Sequence, residues 1–244
     1  MRLRAIATAA TLASLMCFSA VSGWAQLAPY SQDFEAMNQA DGAALSNDGW
    51  LIFGNVFNAA FVYQYGYGVF TAPNNPGAPG FCLVAAGEGG APQGAQQMVA
   101  ISDYQNTDHA NPDRVIEANV FQEMGIAAVD VGSTWIFSFD AKLGDLAGQT
   151  TALAFIKTLD PNNGFATTNF LTEDTTAIPS NWGTYTISIP IDLSLVGQRL
   201  QIGFSSQARL YEASGVFYDN INFAKEGPVA VEQTTWSQTK ALYR

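Results

Sequence analysis

An all-β sandwich is the fold class that this sequence predicts, and three observations carry it. Apolar segments recur every 15–25 residues, with Gly, Pro, Asn or Asp between them. Several alternate polar and apolar side chains with the period of two expected of a half-buried strand, as in Thr134-Trp-Ile-Phe-Ser-Phe-Asp-Ala-Lys142. No stretch sustains a convincing helical period, which leaves sheet packed on sheet as the way to bury the apolar faces.

Taken in order, residues 33–37 read as a first short strand, and 38–49 as a polar loop ending in Asn47-Asp-Gly-Trp50. Residues 50–57 are apolar enough for a second strand. Phe61-Val-Tyr-Gln-Tyr-Gly-Tyr-Gly-Val-Phe70 reads as a third, with Tyr63, Tyr65 and Tyr67 on one face if extended. Pro73, Pro76, Gly77, Pro79 and Gly80 then interrupt the chain. Residues 81–86 and 96–102 are strands on either side of a Gly-rich loop. A polar loop over 103–114 holds the only histidine, His109, which reads as solvated. Strands follow at 115–123, 134–142, 151–159, 181–191 and 199–205, with Trp135 and Trp182 read as packing residues.

The last strand is Ser214-Gly-Val-Phe-Tyr-Asp-Asn-Ile-Asn-Phe-Ala224. Strict alternation puts Phe217, Asp219, Ile221 and Phe223 on one parity, so Asp219 is expected in core register. A lone ionised carboxylate there costs several kcal/mol or more unless it is paired, hydrogen-bonded or bound to a cation. If the two terminal strands lie side by side, Glu35 and Asp33 approach Asp219. Several carboxylate oxygens without a nearby Lys or Arg suit a hard cation such as calcium. The other reading is carboxylates hydrogen-bonded to backbone amides or hydroxyls.

Residues 1–25 read as a secretory leader: a basic start, an apolar run and Gly23-Trp24-Ala25 at the cleavage point. The expected location is therefore extracellular or periplasmic, with no membrane insertion after cleavage. Loss of Arg2 and Arg4 takes the formal charge from −11 to −13, which opposes binding to nucleic acid or anionic membranes. Only Cys82 survives processing, so an intrachain disulfide is excluded and stability must come from a sizeable core or a metal. Residues 26–226 read as one β domain. The tail, 227–244, carries Trp236, Leu242, Tyr243, Lys240 and Arg244; it is either unstructured or a short helix able to dock a protein partner.

The order of motifs resembles the galactose-binding-like jelly rolls that include many carbohydrate-binding modules. Asp33-Phe-Glu35 followed by Asp48-Gly-Trp50 is similar to their opening, and Val131-Gly-Ser-Thr-Trp-Ile-Phe-Ser-Phe-Asp-Ala-Lys142 to their central strand. Asn181-Trp-Gly-Thr-Tyr185 and Ser214-Gly-Val-Phe-Tyr-Asp-Asn-Ile221 resemble their later strands. The resemblance spans roughly residues 30–224. It implies a jelly-roll β-sandwich of two antiparallel sheets, a structural calcium held by Glu35 and Asp219, and a sugar site on the concave face or at the loop tips. The stretch over 61–80 is longer than the pattern leads one to expect.

For a glycan, polysaccharide included, the candidate contacts are Tyr63, Tyr65 and Tyr67, whose rings suit the apolar faces of sugars. Tyr104 is a further candidate, beside Asn106, Asp108 and Asn111. The competing reading makes the tyrosines half-buried cross-strand partners. No Gly-x-Ser-x-Gly elbow, multi-histidine zinc set or tight acidic cluster on one strand appears. The expectation is a secreted, non-catalytic carbohydrate-binding protein. A structural or adhesive surface protein and a glycan-active enzyme are the alternatives.

Overall fold

A computed structural model describes residues 26–227; the leader and the tail beyond Gly227 lie outside the described residues. In chain order the strands are β1 (Tyr30–Gln32), β2 (Leu51–Asn58), β3 (Tyr63–Thr71), β4 (Cys82–Ala86), β5 (Gln96–Ala100) and β6 (Arg114–Gly125). They continue as β7 (Thr134–Leu146), β8 (Thr151–Asp160), β9 (Ala166–Asp174), β10 (Gly183–Pro190), β11 (Arg199–Ala208) and β12 (Ser214–Lys225). One α-helical turn, α1 (Ala44–Asn47), precedes β2.

Sheet one runs β10-β7-β12-β5-β4, and sheet two runs β3-β2-β6-β11-β8-β9; every pairing is antiparallel. From β5 onward the chain passes between the sheets at most steps, which gives the jelly-roll wrap. The edge of β12 is shared: β5 pairs with Val216–Tyr218, and β1 pairs with residues 221–223. The terminal strands thus lie side by side, as the sequence suggested.

Both sheets bury one face in a common core. Ile52, Val120, Ile156, Ile202 and Phe204 come from sheet two; Phe137, Phe139, Met98, Tyr218 and Phe223 come from sheet one. Phe204 stacks on Tyr218 at 3.6 Å between centroids and lies 5.4 Å from Phe139. Each such ring contributes about 1.5–3 kcal/mol on burial. Cys82 is buried and free.

Several expectations are corrected. Residues 33–37 form a turn, and the strand sits just before them. The Gln32 side chain accepts from the Phe34 amide (2.7 Å) and Asp33 from the Glu35 amide (3.2 Å), so local bonds displace the ladder. Phe34 turns into the core at φ 58°. Strand β9 was not foreseen. On β12 the inward residues are Val216 and Tyr218, then Ile221 and Phe223; Phe217 points outward. The register breaks between Asp219 and Asn222, with Asn220 at φ 46°, and this bulge reverses the parity halfway along the strand. Asp219 is therefore not on the core face.

Candidate functional site

Asp219 lies on the outer face of sheet one, directly opposite Asp140 on β7. It is nevertheless fully buried, because the loop over residues 87–95 folds across that face. Glu88 anchors this cover: its backbone carbonyl accepts from Trp182 Nε1 (2.9 Å) and Lys142 Nζ (2.8 Å). Gln93 Nε2 reaches Asp140 Oδ2 (2.8 Å), and Asn220 Nδ2 donates to the Pro92 carbonyl (2.9 Å). The second cover is the 33–37 turn, where Glu35 Oε1 accepts the backbone amides of Ala95 and Gln96 at 2.7 Å each. Gly94 is required there, since a Cβ would stand 2.6 Å from Glu35 Oε1.

The two buried aspartates fare differently. Asp140 accepts from Thr184 Oγ1 (2.6 Å), Gln93 Nε2 and Asn220 Nδ2 (both 2.8 Å). Asp219 Oδ1 takes only the adjacent Asn220 amide (2.6 Å), and Oδ2 is buried without a hydrogen-bond partner. Burial pushes the Asp219 carboxyl up to about 7; the charges of Asp140, Glu35 and Asp33 push the same way, and the Asn220 amide opposes them. The charges of Glu35 and Asp33, which the sequence pointed to, and of Asp140 therefore reach Asp219.

An orphaned buried oxygen amid surplus negative charge fits a hard cation. Among the described residues, no three acidic, histidine or cysteine side chains form a metal-holding group by themselves. A cation there would use Asp219 and Glu35 and draw its other ligands from main-chain carbonyls or water.

The candidate sugar-binding rings are placed less uniformly than strict alternation predicts. Tyr65 pairs with Val56 and Tyr67 with Gly54, but a register shift sets Tyr63 opposite Phe57. Tyr63 therefore faces outward, against the Phe57 ring at 6.0 Å. Tyr67 lies across the inner side of Gly54, where a Cβ would come within 2.2 Å of its ring, and donates to Asp103 Oδ2 (2.7 Å). Tyr65 bonds Asp108 Oδ2 (2.9 Å). The three do not form one platform. Tyr104 ties two loops together through the Glu212 carbonyl (2.8 Å) and Ser214 Oγ (2.5 Å). His109 is not solvated. It is buried between Tyr104 and Tyr211, with Nε2 3.1 Å from Ser102 Oγ, and burial lowers its pKa.

A different site opens on the outer face of sheet two. A groove of about 590 Å³ runs over β2, β6, β11 and β8, with Phe121 and Gln201 in its floor. Phe53 and Val69 line one side, and Leu159, Phe165 and Thr167 line the other. Phe165 is 57 % exposed. The polar groups are held in place by their neighbours. Asn55 and Asn119 donate to Glu117 (2.7 and 3.0 Å), which is not itself part of the lining and also accepts from Gln207 (2.8 Å); Glu123 accepts from Gln201 (2.9 Å) and lies 3.6 Å from Arg199 Nε. Sequence reasoning missed this groove. Its signal was the outward parity of residues 115–123 and 199–205, which had served only to identify strands.

No protein-family model and no curated protein matches the sequence. Solved structures similar to this fold include carbohydrate-binding modules of the β-sandwich superfamily (15% identity, TM-score 0.42), over 78% of this chain and 61% of that one. The enzymatically active domain of tailspike protein 4 from bacteriophage CBA120 is similar at 13% identity and TM-score 0.44, over 78% of this chain and 21% of that one. A cyclase from Fischerella sp. TAU is similar at 12% identity and TM-score 0.42, over 82% and 98% of the two chains. This chain thus spans about a fifth of the tailspike domain and three fifths of the binding-module chain. Binders and enzymes stand together among these structures, so architecture alone assigns no activity.

Proposed function

We propose that this protein is an exported, non-catalytic carbohydrate-binding module-like protein that takes a polysaccharide in the groove on sheet two. The observation that carries this reading is the groove itself, in which aromatic side chains lie beside amides and a carboxylate already held in position. Sugar rings offer apolar C–H faces to the former and hydroxyls to the latter. Fixing the polar groups in advance lowers the ordering cost of binding. The groove lining gives no support to glycosidase chemistry, since its one glutamate is Glu123. Glu117, outside the lining, is six residues away on the same strand, about 20 Å at strand rise, beyond the roughly 5–9.5 Å that paired catalytic carboxylates need.

Affinity electrophoresis on a polysaccharide panel tests the proposal. Wild-type protein is expected to be retained on at least one polysaccharide. Phe53→Ala and Phe165→Ala are expected to migrate freely while melting with the wild type. Tyr104→Phe should keep full retention. The absence of retention across the panel, or equal retention of the groove variants, would overturn the assignment. In the same reading the acidic site is a structural calcium site that ties β1 to β12, and it has no part in binding sugar.

A protein-contact role has one observation in its favour. Edge strand β3 and the turn before it expose Phe61, Val62, Tyr63, Val69 and Phe70, each more than half accessible. An exposed apolar edge is a template for pairing. Sedimentation across a hundredfold concentration range would show association if this edge serves that role.

A further inference from the structure

We propose that the groove selects glycans bearing an oxyanion on the sugar ring, and that Lys157 receives that group. This rests on the groove being the glycan site. Glu123, Gln201, Lys157 and Phe170 are register partners in one row across β6, β11, β8 and β9. The carboxylate at one end is already satisfied, since Gln201 and Arg199 occupy its two oxygens. The cation is not. Among the described residues no ion pair or hydrogen bond to protein involves Lys157 Nζ, which sits 4.7 Å from the Phe155 centroid and 5.1 Å from that of Phe170.

Ring faces attract an ammonium group but leave its three N–H donors without acceptors. Burial lowers the Lys157 pKa, and the charge of Glu117 opposes that shift. Glu117 is itself engaged by Asn55, Asn119 and Gln207. A carboxylate or sulfate on a bound sugar supplies both the counter-charge and the acceptors that this ammonium lacks.

The groove lining also reverses the sign of the molecule. It carries Lys157 and Arg199 against Glu123, on a chain of net charge −11. At physiological ionic strength charges are screened over about 8 Å, so acidic residues elsewhere oppose an anionic ligand weakly, while Nζ meets it at contact.

Calorimetry on the exported full-length chain tests this with two matched pairs of probes: polygalacturonate against its methyl ester, and dextran sulfate against dextran. Binding is expected for a charged member, at least tenfold tighter than for its neutral counterpart, and weaker in added NaCl. Which charged member binds distinguishes carboxylate from sulfate. Lys157→Met, which keeps the stem packed on the rings, is expected to lose that tenfold preference without a change in melting temperature. Equal binding of charged and neutral members, or an undiminished preference in Lys157→Met, would overturn the inference and leave the glycan reading standing. Failure of every probe, together with an empty neutral panel, would overturn both. Because the ester comparison alters only the ligand, it decides the matter even if the variant folds poorly.

Discussion

The two outer faces of this sandwich are made from similarly alternating strands, yet one is roofed over and the other is open. On sheet one, the 87–95 loop and the 33–37 turn close over Asp140 and Asp219, leaving one carboxylate oxygen without a partner. On sheet two, Glu117 and the groove's Glu123 are answered by amides or an arginine while remaining within reach of solvent. The same kind of side chain is thus a liability under a roof and tolerated in the open, because burial removes the water that would solvate it. The first arrangement suits an ion that closes the fold, and the second suits a ligand that arrives from outside.

The largest expected effect breaks the roofed site. If a calcium ion occupies it, a chelator lowers the wild-type melting temperature. At a hundredfold excess of ion over Kd the loss is about 2.7 kcal/mol, or roughly 5–10 °C for a domain of this size. Asp219→Asn should barely respond, and in chelator it should melt above the wild type because it removes an uncompensated charge. Differential scanning calorimetry with and without calcium reads both. A wild type indifferent to chelation removes the ion.

Next in size is a pH effect in the chelated protein. The Asp219 carboxyl titrates near 7 when folded, against an ordinary value of 3.8. Between those values the folded state holds a proton that the unfolded state has released, so stability is greatest at low pH and falls as pH rises through about 7. Urea midpoints should therefore drop between pH 5 and pH 8 in the wild type. In Asp219→Asn this contribution to the slope should vanish.

Asp140→Ala should cost about 2 kcal/mol, since it strands the donors of Thr184, Gln93 and Asn220. It should also move the pH-sensitive window downward by removing a neighbouring charge. The smallest effect belongs to the open face. Glu117→Gln should change stability by less than about 1 kcal/mol, as read from the denaturant midpoint. A larger loss there would erase the contrast between the faces.

Much of this was legible in the chain. A period of two is imposed by backbone geometry wherever a strand has one wet and one dry face, so all but β1 and β9 of the strands were anticipated near their observed positions. The charge of Glu35 and Asp33 on Asp219 agrees with one premise, that the first and last strands are neighbours, although both residues stand in the turn beyond β1. Asp140 was hidden, although Phe-Ser-Phe-Asp put it on the outward parity, because nothing local says which loop will cover an outward residue.

What the sequence determined by itself was therefore the sandwich and its segmentation, both consequences of short-range alternation and composition. Only the tertiary structure decided which side of β12 carries Asp219 and which tyrosines share a face, since a bulge inserts one residue and inverts every side chain beyond it. The groove was likewise decided in three dimensions. Its walls come from strands that are neighbours in the sheet but lie up to about 150 residues apart in the chain, from Phe53 to Gln201, and no local pattern encodes that adjacency.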